Sequence, residues 1–351
     1  MILEKKMDFW LDTKWINNKL DVSSFVQKEN KGDVIIYEVQ EKETKEKRAL
    51  KIQLIGEKDW DVFRKIKKEI NYHFALKHEH IGELFDFDIE YFEKKKIIGF
   101  YMLMEFGEEL LYERIKQNKI SYKEMLQALA DILEASLFSN EKRISHLDLK
   151  SDNIMKIQDG YKLFDWGSSI KLEKVGTNKY EENKKGCDLL EITPPFASPE
   201  VWECSDKSIE KDINFSKNDC YAIGVIMLQI MGLNIWELHG KKMIGDENDH
   251  DNFVNEFLLT NQNKDNKAKQ EYKKDIGKNK FGLLIANMLK HDRKKRFDLR
   301  QANEFMKNNF LNQKEYGLRE PKGQKILVDL KEWTKLKEGQ KENERREVEI
   351  S

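Results

Sequence analysis

Two short polar stretches constrain this chain more than any other part of its sequence. The first, residues 146–153, reads H-L-D-L-K-S-D-N, and the second, residues 165–167, reads D-W-G. Two adjacent loops of this length can bring the carboxylates of Asp148 and Asp165 and the amide oxygen of Asn153 into one small volume. Hard oxygen ligands of this kind suit Mg²⁺, which is commonly shared with substrate phosphates. The spacing therefore favours a site for phosphate chemistry.

The same two stretches resemble signatures of the eukaryotic protein kinase family, H-R-D-L-x-x-x-N and D-F-G. The resemblance implies that Asp148 orients the substrate hydroxyl and accepts its proton, and that Lys150 steadies the γ-phosphate. It also implies that Asn153 and Asp165 hold Mg²⁺. A lysine two residues after the aspartate is the pattern of serine/threonine-directed members. Since a string of Asp, Lys and Asn is commonly only a polar turn, the interpretation depends on ordered agreement elsewhere.

That agreement begins in the first third of the chain. Three strand-like patterns lie at residues 22–27, 34–39 and 48–54. One helical pattern follows them at residues 60–76. Within the third strand, Ala49-Leu50-Lys51 matches the A-x-K of the family's V-A-I-K. The resemblance implies that Lys51 pairs with the α and β phosphates of ATP and with Glu69, eighteen residues further along the chain.

A nucleotide pocket between two lobes follows from the same resemblance. The stretch M-E-F-G at residues 104–107 resembles the hinge, where the Glu105 carbonyl and the Gly107 N–H would meet the adenine edge. Met104 would gate the rear of the pocket. The implied cofactor-binding residues are Lys51, Glu69, Ile36, Ala49, Met104, Glu105 and Gly107.

The glycine-rich loop departs from the family pattern. With Ile36 at the valine position of G-x-G-x-x-G-x-V, the three glycine positions hold Glu29, Lys31 and Val34, and only Gly32 remains, out of register. Glycines let the backbone close over phosphates without a Cβ in the way. We therefore expect weaker binding of ATP, with Val34 in particular crowding the nucleotide.

Two further departures lie near the polar stretches. Leu147 replaces the arginine of H-R-D, which in many relatives reads a phosphate on the activation loop, and Trp166 replaces the phenylalanine of D-F-G. Both are compatible with activity. Without the guanidinium, phosphorylation-dependent ordering through residue 147 is not available, so activity should not require phosphorylation of Thr177. Residues 168–192, which also contain Tyr180, are expected to form a mobile activation loop or an ordinary disordered insert.

The stretch T-P-P-F-A-S-P-E at residues 193–200 contains three of the chain's four prolines, which argues for a shaped, non-repetitive platform. It resembles the end of the family's activation segment, where a peptide substrate would be received, and Thr193 resembles serine/threonine specificity. The resemblance further implies that Asp219 bonds the backbone of the 146–153 loop. It also implies that Arg296 and Glu200 form a buried ion pair.

The expected fold is therefore α+β and two-lobed, with a small β-rich N-lobe and a larger helical C-lobe. We expect an N-terminal extension at 1–21 that forms a short helix or strap, and a kinase domain at 22–310. That domain divides into an N-lobe at 22–105 and a C-lobe at 108–310. Residues 311–351 form a charged tail, a candidate surface for a regulatory partner.

Composition narrows the remaining choices. Lys plus Arg is 63 and Asp plus Glu is 64, so the net charge of −1 gives no argument for nucleic acid or an anionic membrane. Three cysteines without C-x-x-C spacing indicate neither a disulfide framework nor a structural zinc site. No signal peptide is visible, and the uncharged run from Cys220 to Trp236 fits a buried helix better than a transmembrane segment. A cytoplasmic or nuclear location is expected.

The function that the sequence favours is transfer of the γ-phosphoryl group of ATP, with Mg²⁺, to serine or threonine of protein substrates. Two alternatives stay open. One is a pseudokinase that acts as a nucleotide-binding or scaffolding module, which the altered glycine loop favours. The other is a small-molecule phosphotransferase of the kinase-like superfamily, against which the 193–200 platform and Arg296 argue.

Overall fold

The computed structural model describes residues 9–31, 33–175, 179–181, 192–205, 215–244, 247–259, 265–275 and 278–311. Within these ranges a β-sheet makes up the N-terminal lobe and helices make up most of the C-terminal lobe. The predicted α+β class is therefore confirmed.

A five-stranded antiparallel sheet forms the N-terminal lobe. Its strands are β1 (Leu20–Lys31), β2 (Val34–Glu41), β3 (Lys47–Gly56), β4 (Leu84–Phe92) and β5 (Ile97–Glu105), in the order β1-β2-β3-β5-β4. Because side chains alternate along a strand, buried Ile35, Tyr37 and Val39 share one face of β2, and Ile36 lies on the other. The three strands predicted first from the sequence fall within β1, β2 and β3.

The outer face of the sheet is covered by the start of the described chain. Helix α1 (Lys14–Lys19) begins after Thr13, whose hydroxyl accepts a hydrogen bond from the Ile16 N–H. Ile16 is fully buried in the same cluster as Tyr37 and Leu50, and the Tyr101 hydroxyl donates to the Trp10 carbonyl at 2.8 Å. The expected helix or strap is thus confirmed from residue 9 onward, and residues 1–8 lie outside the described residues.

The inner face receives helix α2 (Trp60–Ala75). Ile66 and Ile70 pack in one cluster with Phe100 and Met102 of β5. These apolar residues at helical spacing hold α2 against the sheet, so that its Glu69 is directed towards β3.

The C-terminal lobe is built around two buried helices. Its helices are α3 (Leu111–Lys116), α4 (Tyr122–Glu141), α5 (Pro199–Ser205), α6 (Asn218–Ile230), α7 (Ile235–Ile244), α8 (Glu247–Leu259), α9 (Lys267–Lys274), α10 (Lys278–Met288) and α11 (Leu299–Met306). Helix α6 is buried along nearly its whole length against α4. It accounts for most of the uncharged run that begins at Cys220. None of the helices in the described part of the chain has the length and apolarity needed to cross a bilayer.

Short strands position the polar loops. They are β6 (Glu109–Leu110), β7 (Ile144–Ser145), β8 (Ile154–Ile157), β9 (Gly160–Leu163), β10 (Ile170–Lys171), β11 (Glu173–Val175) and β12 (Lys179–Glu181). The loop at residues 146–153 connects β7 to β8, and Asp165 follows β9 almost directly. Since β8 and β9 form a hairpin, the two polar stretches lie side by side.

The described parts of the segment at residues 168–192 contain short strands that the sequence did not predict, and residues 176–178 and 182–191 lie outside the described residues. Strand β10 pairs with β7, and β11 pairs with β12. The physical reason for the first pairing is apolar burial, because Ile170 and Leu172 pack against Leu147. Thr177 lies outside the described residues, as does the chain from residue 312 onward.

Candidate active site

The loop at residues 146–153 is held from below by one buried carboxylate. Asp219 of α6 accepts hydrogen bonds from the His146 N–H at 2.8 Å, the Leu147 N–H at 2.9 Å and the Ser145 hydroxyl at 2.8 Å. Asp219 is completely buried, so these donors replace the water that an ionised carboxylate would otherwise bind. The predicted bond between Asp219 and the loop backbone is confirmed.

Leu147 joins the loop to both ends of the following segment. Its backbone has φ of 64°, a left-handed conformation that is uncommon for a residue other than glycine. Its side chain is buried in a cluster with Ile170, Leu172, Ala197, Val201 and Phe215. The position where an arginine was expected therefore carries an apolar contact between the two ends of the segment.

Asp148 lies at the centre of a polar cluster. Its Oδ1 accepts the Thr193 hydroxyl at 2.6 Å and the Thr193 N–H at 3.0 Å, and its Oδ2 accepts the Lys150 ammonium at 2.6 Å. Lys150 also donates to the Thr193 hydroxyl at 2.9 Å. The Asn153 amide nitrogen donates to the Asp148 carbonyl at 2.8 Å, which leaves the amide oxygen as the atom free for other ligands.

A second cluster joins the two lobes. The Lys51 ammonium lies 2.7 Å from Glu69 Oε1 and 3.6 Å from Asp165 Oδ1. Glu69 is buried, whereas the Asp165 side chain is 51% exposed and so open to a ligand. Asp165 has φ of 59°, a strained backbone conformation of the kind that clusters at functional sites.

The charges in this second cluster support one another. The Lys51 ammonium holds the pKa of the Asp165 carboxyl below its usual range, which keeps an anionic oxygen available at neutral pH. Burial alone would lower the pKa of Lys51, but the carboxylates of Glu69 and Asp165 outweigh it and raise that pKa. Burial raises the pKa of Glu69, against the opposing effect of Lys51.

The predicted adenine-pocket residues meet at the junction of the lobes. In the sheet register Ile36 lies opposite Lys51, and Ala49 lies opposite Met104. Directly opposite residues point to the same face, so all four line the side of the sheet that faces the C-terminal lobe.

The stretch after β5 is tied to the C-terminal lobe by two contacts that the sequence did not reveal. The Glu105 carboxylate accepts the Lys162 ammonium of β9 at 2.7 and 2.9 Å. A Cβ at Gly107 would overlap the Met155 side chain, so only glycine fits this approach. No sequence pattern marked Met155, because residues 154–157 read I-M-K-I without an alternation of apolar and polar residues.

The turn between β1 and β2 keeps its hairpin without the expected glycines. Glu29 pairs with Ile36 and Lys31 pairs with Val34, which leaves a two-residue connection. Val34 is on the same face of β2 as Ile36 and therefore on the cleft side. Gly32 lies outside the described residues.

The platform at residues 193–200 is anchored to the same framework. The Ser198 N–H donates to Asn218 Oδ1 at 2.9 Å, and Asn218 Nδ2 donates to the Leu147 carbonyl at 3.3 Å. Arg296 binds both carboxylate oxygens of Glu200, at 2.6 and 3.0 Å, and is almost completely buried. The predicted ion pair is confirmed.

The residues predicted from sequence thus fall into two groups. Asp148, Lys150 and Asn153 meet at the loop, and Lys51, Glu69 and Asp165 meet beneath the sheet. The described residues hold no cluster of three or more His, Cys, Asp or Glu side chains arranged for a metal ion. The Asn153 amide oxygen and the Asp165 carboxylate are hard ligands, which fits Mg²⁺ completed by waters and phosphate oxygens.

Comparison with known proteins decides the family. The model of the protein kinase domain matches residues 30–311, most of the chain. The chain belongs to the protein kinase family. Its kinase domain is similar to serine/threonine-protein kinase PTK2 of Candida glabrata, with 27% identity over 188 residues, 51% of this chain and 24% of that protein.

Two further relatives align with parts of this chain. Smooth muscle myosin light chain kinase of Gallus gallus is 29% identical over 243 residues, 68% of this chain and 11% of that protein. CBL-interacting protein kinase 21 of Oryza sativa subsp. japonica is 27% identical over 175 residues, 48% of this chain and 30% of that protein. The chain therefore aligns with less than a third of the length of each of these relatives.

Proposed function

We propose that this protein kinase domain is catalytically active and transfers the γ-phosphoryl group of ATP to serine or threonine of a protein substrate. The observation that carries the proposal is the contact of Asp148, Lys150 and Thr193 at the end of the cleft where Lys51 pairs with Glu69 and Asp165. Phosphoryl transfer depends on positioning and on compensation of charge, and these two clusters supply both.

Each residue has a separate role in the proposal. Asp148 accepts the proton of the substrate hydroxyl as its oxygen bonds to the γ-phosphorus, and ADP leaves. Lys150 compensates charge on the transferring group, and Lys51, oriented by Glu69, holds the α and β phosphates. Asn153 and Asp165 would hold Mg²⁺, which neutralises phosphate charge when bound.

The base would lie against the junction of the lobes. Ile36 and Ala49 would cover one side of the adenine ring, with Met104 at the rear, and the Glu105 carbonyl and Gly107 N–H would bond its edge. The close approach of Met155 to Gly107 supports a narrow slot at this point. Such a slot suits a flat aromatic ring.

Selectivity for serine and threonine is supported by Thr193. Its hydroxyl bonds both Asp148 and Lys150, so the platform begins directly at the proposed base. One of the relatives named above, PTK2 of Candida glabrata, is a serine/threonine-protein kinase by name. The domain limits of 22–310 and a partner for the tail from residue 311 remain part of the proposal.

Regulation follows from Leu147. Its apolar cluster joins both ends of the activation segment, a task that a phosphate and an arginine would perform by charge. We therefore expect activity without phosphorylation of Thr177. Turnover that phosphatase treatment abolished, and that rephosphorylation at Thr177 restored, would reject this part.

The pseudokinase alternative is favoured by one observation, the valine on the cleft side of the β1–β2 hairpin. The deciding experiment is transfer from labelled ATP with Mg²⁺ to a mixed serine/threonine peptide pool, with wild type and Asp148→Asn side by side. Loss of the general base should reduce the rate by about 100-fold or more. No transfer by wild type, together with a rise in melting temperature on adding ATP, would establish a nucleotide-binding pseudokinase instead.

A further inference from the structure

One lysine of the C-terminal lobe is withdrawn from water next to the peptide platform. Lys242, in the last turn of α7, is 5% exposed, and its ammonium donates to the Pro194 carbonyl at 2.8 Å and to the Ala197 carbonyl at 2.7 Å. A buried ammonium is costly unless its protons are bonded, so two converging carbonyls indicate a specific arrangement. Neither the sequence motifs nor the proposed chemistry uses this residue.

The two carbonyls lie on the segment that shapes the site. Pro194 directly follows Thr193, whose hydroxyl bonds Asp148, and the Phe196 N–H closes a turn onto the Thr193 carbonyl at 3.0 Å. Prolines 194 and 195 have no N–H, so this turn has few backbone donors of its own. An external cation that bonds both ends of the turn therefore supplies what the local sequence lacks.

Helix α7 contacts the platform at a second point. The His239 ring lies edge-on to the Trp202 ring of α5, with centroids 5.0 Å apart, and Leu238 is completely buried. The helix is thus seated firmly enough to hold its lysine in place. Burial lowers the pKa of Lys242 to about 7, with Glu200 acting to raise it and Arg296 to lower it.

We propose that Lys242 is a positioning residue for the protein substrate: by bonding the Pro194 and Ala197 carbonyls it sets the shape of the platform that receives the peptide. This inference rests on the proposed kinase activity for its kinetic consequence. The ordering of the platform does not depend on that activity.

The test compares two neighbouring lysines of one helix. Lys242→Met removes the ammonium and keeps most of the apolar stem, and Lys241→Met changes an exposed lysine beside it. The peptide KM should rise by roughly tenfold in Lys242→Met, the factor expected for loss of a charged hydrogen bond, with the ATP KM within about twofold of wild type. Lys241→Met should leave both constants unchanged.

Hydrogen exchange gives a readout that needs no turnover. The amides of Phe196, Ala197, Ser198 and Val201 all donate hydrogen bonds within or beneath the platform. They should exchange about tenfold faster in Lys242→Met and at the wild-type rate in Lys241→Met. Equal exchange and an equal peptide KM in a folded Lys242→Met protein would overturn the inference.

The role of Lys242 can still be tested if Lys242→Met does not fold or if wild type shows no phosphotransfer. Where Lys242→Met does not fold, Lys242→Arg keeps the charge and the donors but displaces them, so a raised peptide KM with an unchanged ATP KM supports the inference and an unchanged peptide KM overturns it. Where wild type shows no phosphotransfer, the proposed function fails, and the exchange rates at Phe196 to Val201 alone decide the role of Lys242.

Discussion

The loop at residues 146–153 and the β1–β2 hairpin approach the same cleft from opposite sides, but they are held in different ways. The loop rests on Asp219, which is buried and accepts three hydrogen bonds from it. The hairpin is held by strand pairing up to Lys31 and Val34, with none of the three glycines expected there. The loop below the cleft is thus fixed by specific side-chain hydrogen bonds, whereas the β1–β2 hairpin above it lacks the glycines of the family pattern.

This difference indicates which groups contribute most to binding a nucleotide. Backbone N–H groups of a glycine-rich loop are one way to hold phosphates, and charged side chains are another. Here the charged side chains are in place, since Lys51 contacts both Glu69 and Asp165. We therefore expect changes in these charged side chains to matter far more than changes in the hairpin.

The largest effect should come from removing the buried support of the platform. Arg296→Met leaves the Glu200 carboxylate without its partner in a buried site, which costs about 3–5 kcal/mol of unfolding free energy. The exposed Arg300→Met on α11 is the matched control and should change it by less than about 0.5 kcal/mol. Urea unfolding measures both, and equal midpoints would show that the Glu200–Arg296 pair does not support the lobe.

Lys51→Met tests the link between the two sides of the cleft. It should reduce phosphotransfer by roughly 100-fold, equivalent to a loss of about 2.7 kcal/mol of transition-state stabilisation. It should also reduce the rise in melting temperature on adding ATP. The control is Lys47→Met on the same strand, whose side chain is 66% exposed. Similar rates for the two variants would contradict the role of the Lys51 contacts.

Lowering the pH should remove the contribution that the ionised Asp165 carboxylate makes to the free energy of unfolding. The pKa of Asp165 lies below its ordinary value of 3.8 in the folded protein, so its ionised form adds stability above that pH and loses it as the pH falls through the lower folded value. Because the side chain is half exposed, the contribution should be less than about 1 kcal/mol. The difference in unfolding free energy between wild type and Asp165→Asn should shrink below pH 3.8. A difference independent of pH would contradict this.

The smallest effect is expected in the hairpin. Val34→Gly restores the glycine position nearest the cleft and should lower the KM for ATP by about threefold or less, since one Cβ-branched group is removed from an open edge. Val34→Ala separates the loss of volume from the gain of backbone freedom. A change greater than about tenfold in either variant would show that the hairpin limits nucleotide binding.

Much of the candidate site could be predicted because each of its residues belongs to a short, contiguous sequence motif. The roles of Asp219 and Arg296 followed from short motifs far apart in sequence, and the structure shows both contacts. The strands β10 to β12 were missed because the segment is rich in Lys and Glu. The pairing of β10 with β7 depends on Ile170 and Leu172 meeting Leu147, a contact between residues far apart in the sequence.

Lys242 could not have been predicted by any local rule. It follows another lysine in an amphipathic helix, and such residues are commonly solvated. Only the packing of α7 against the platform buries it and supplies its two carbonyl partners. Met155 was missed for a similar reason, since its contact with Gly107 depends on how β8 meets the chain after β5.

The most direct test of the central claim is kcat/KM for ATP with Mg²⁺, measured in wild type, in Asp165→Asn and in a variant with glycine at positions 29, 31 and 34. The account predicts that Asp165→Asn falls by roughly 100-fold or more and that the triple-glycine variant stays within about tenfold of wild type. A wild type without measurable transfer that gains it in the triple-glycine variant would contradict the account, because the hairpin would then control the chemistry.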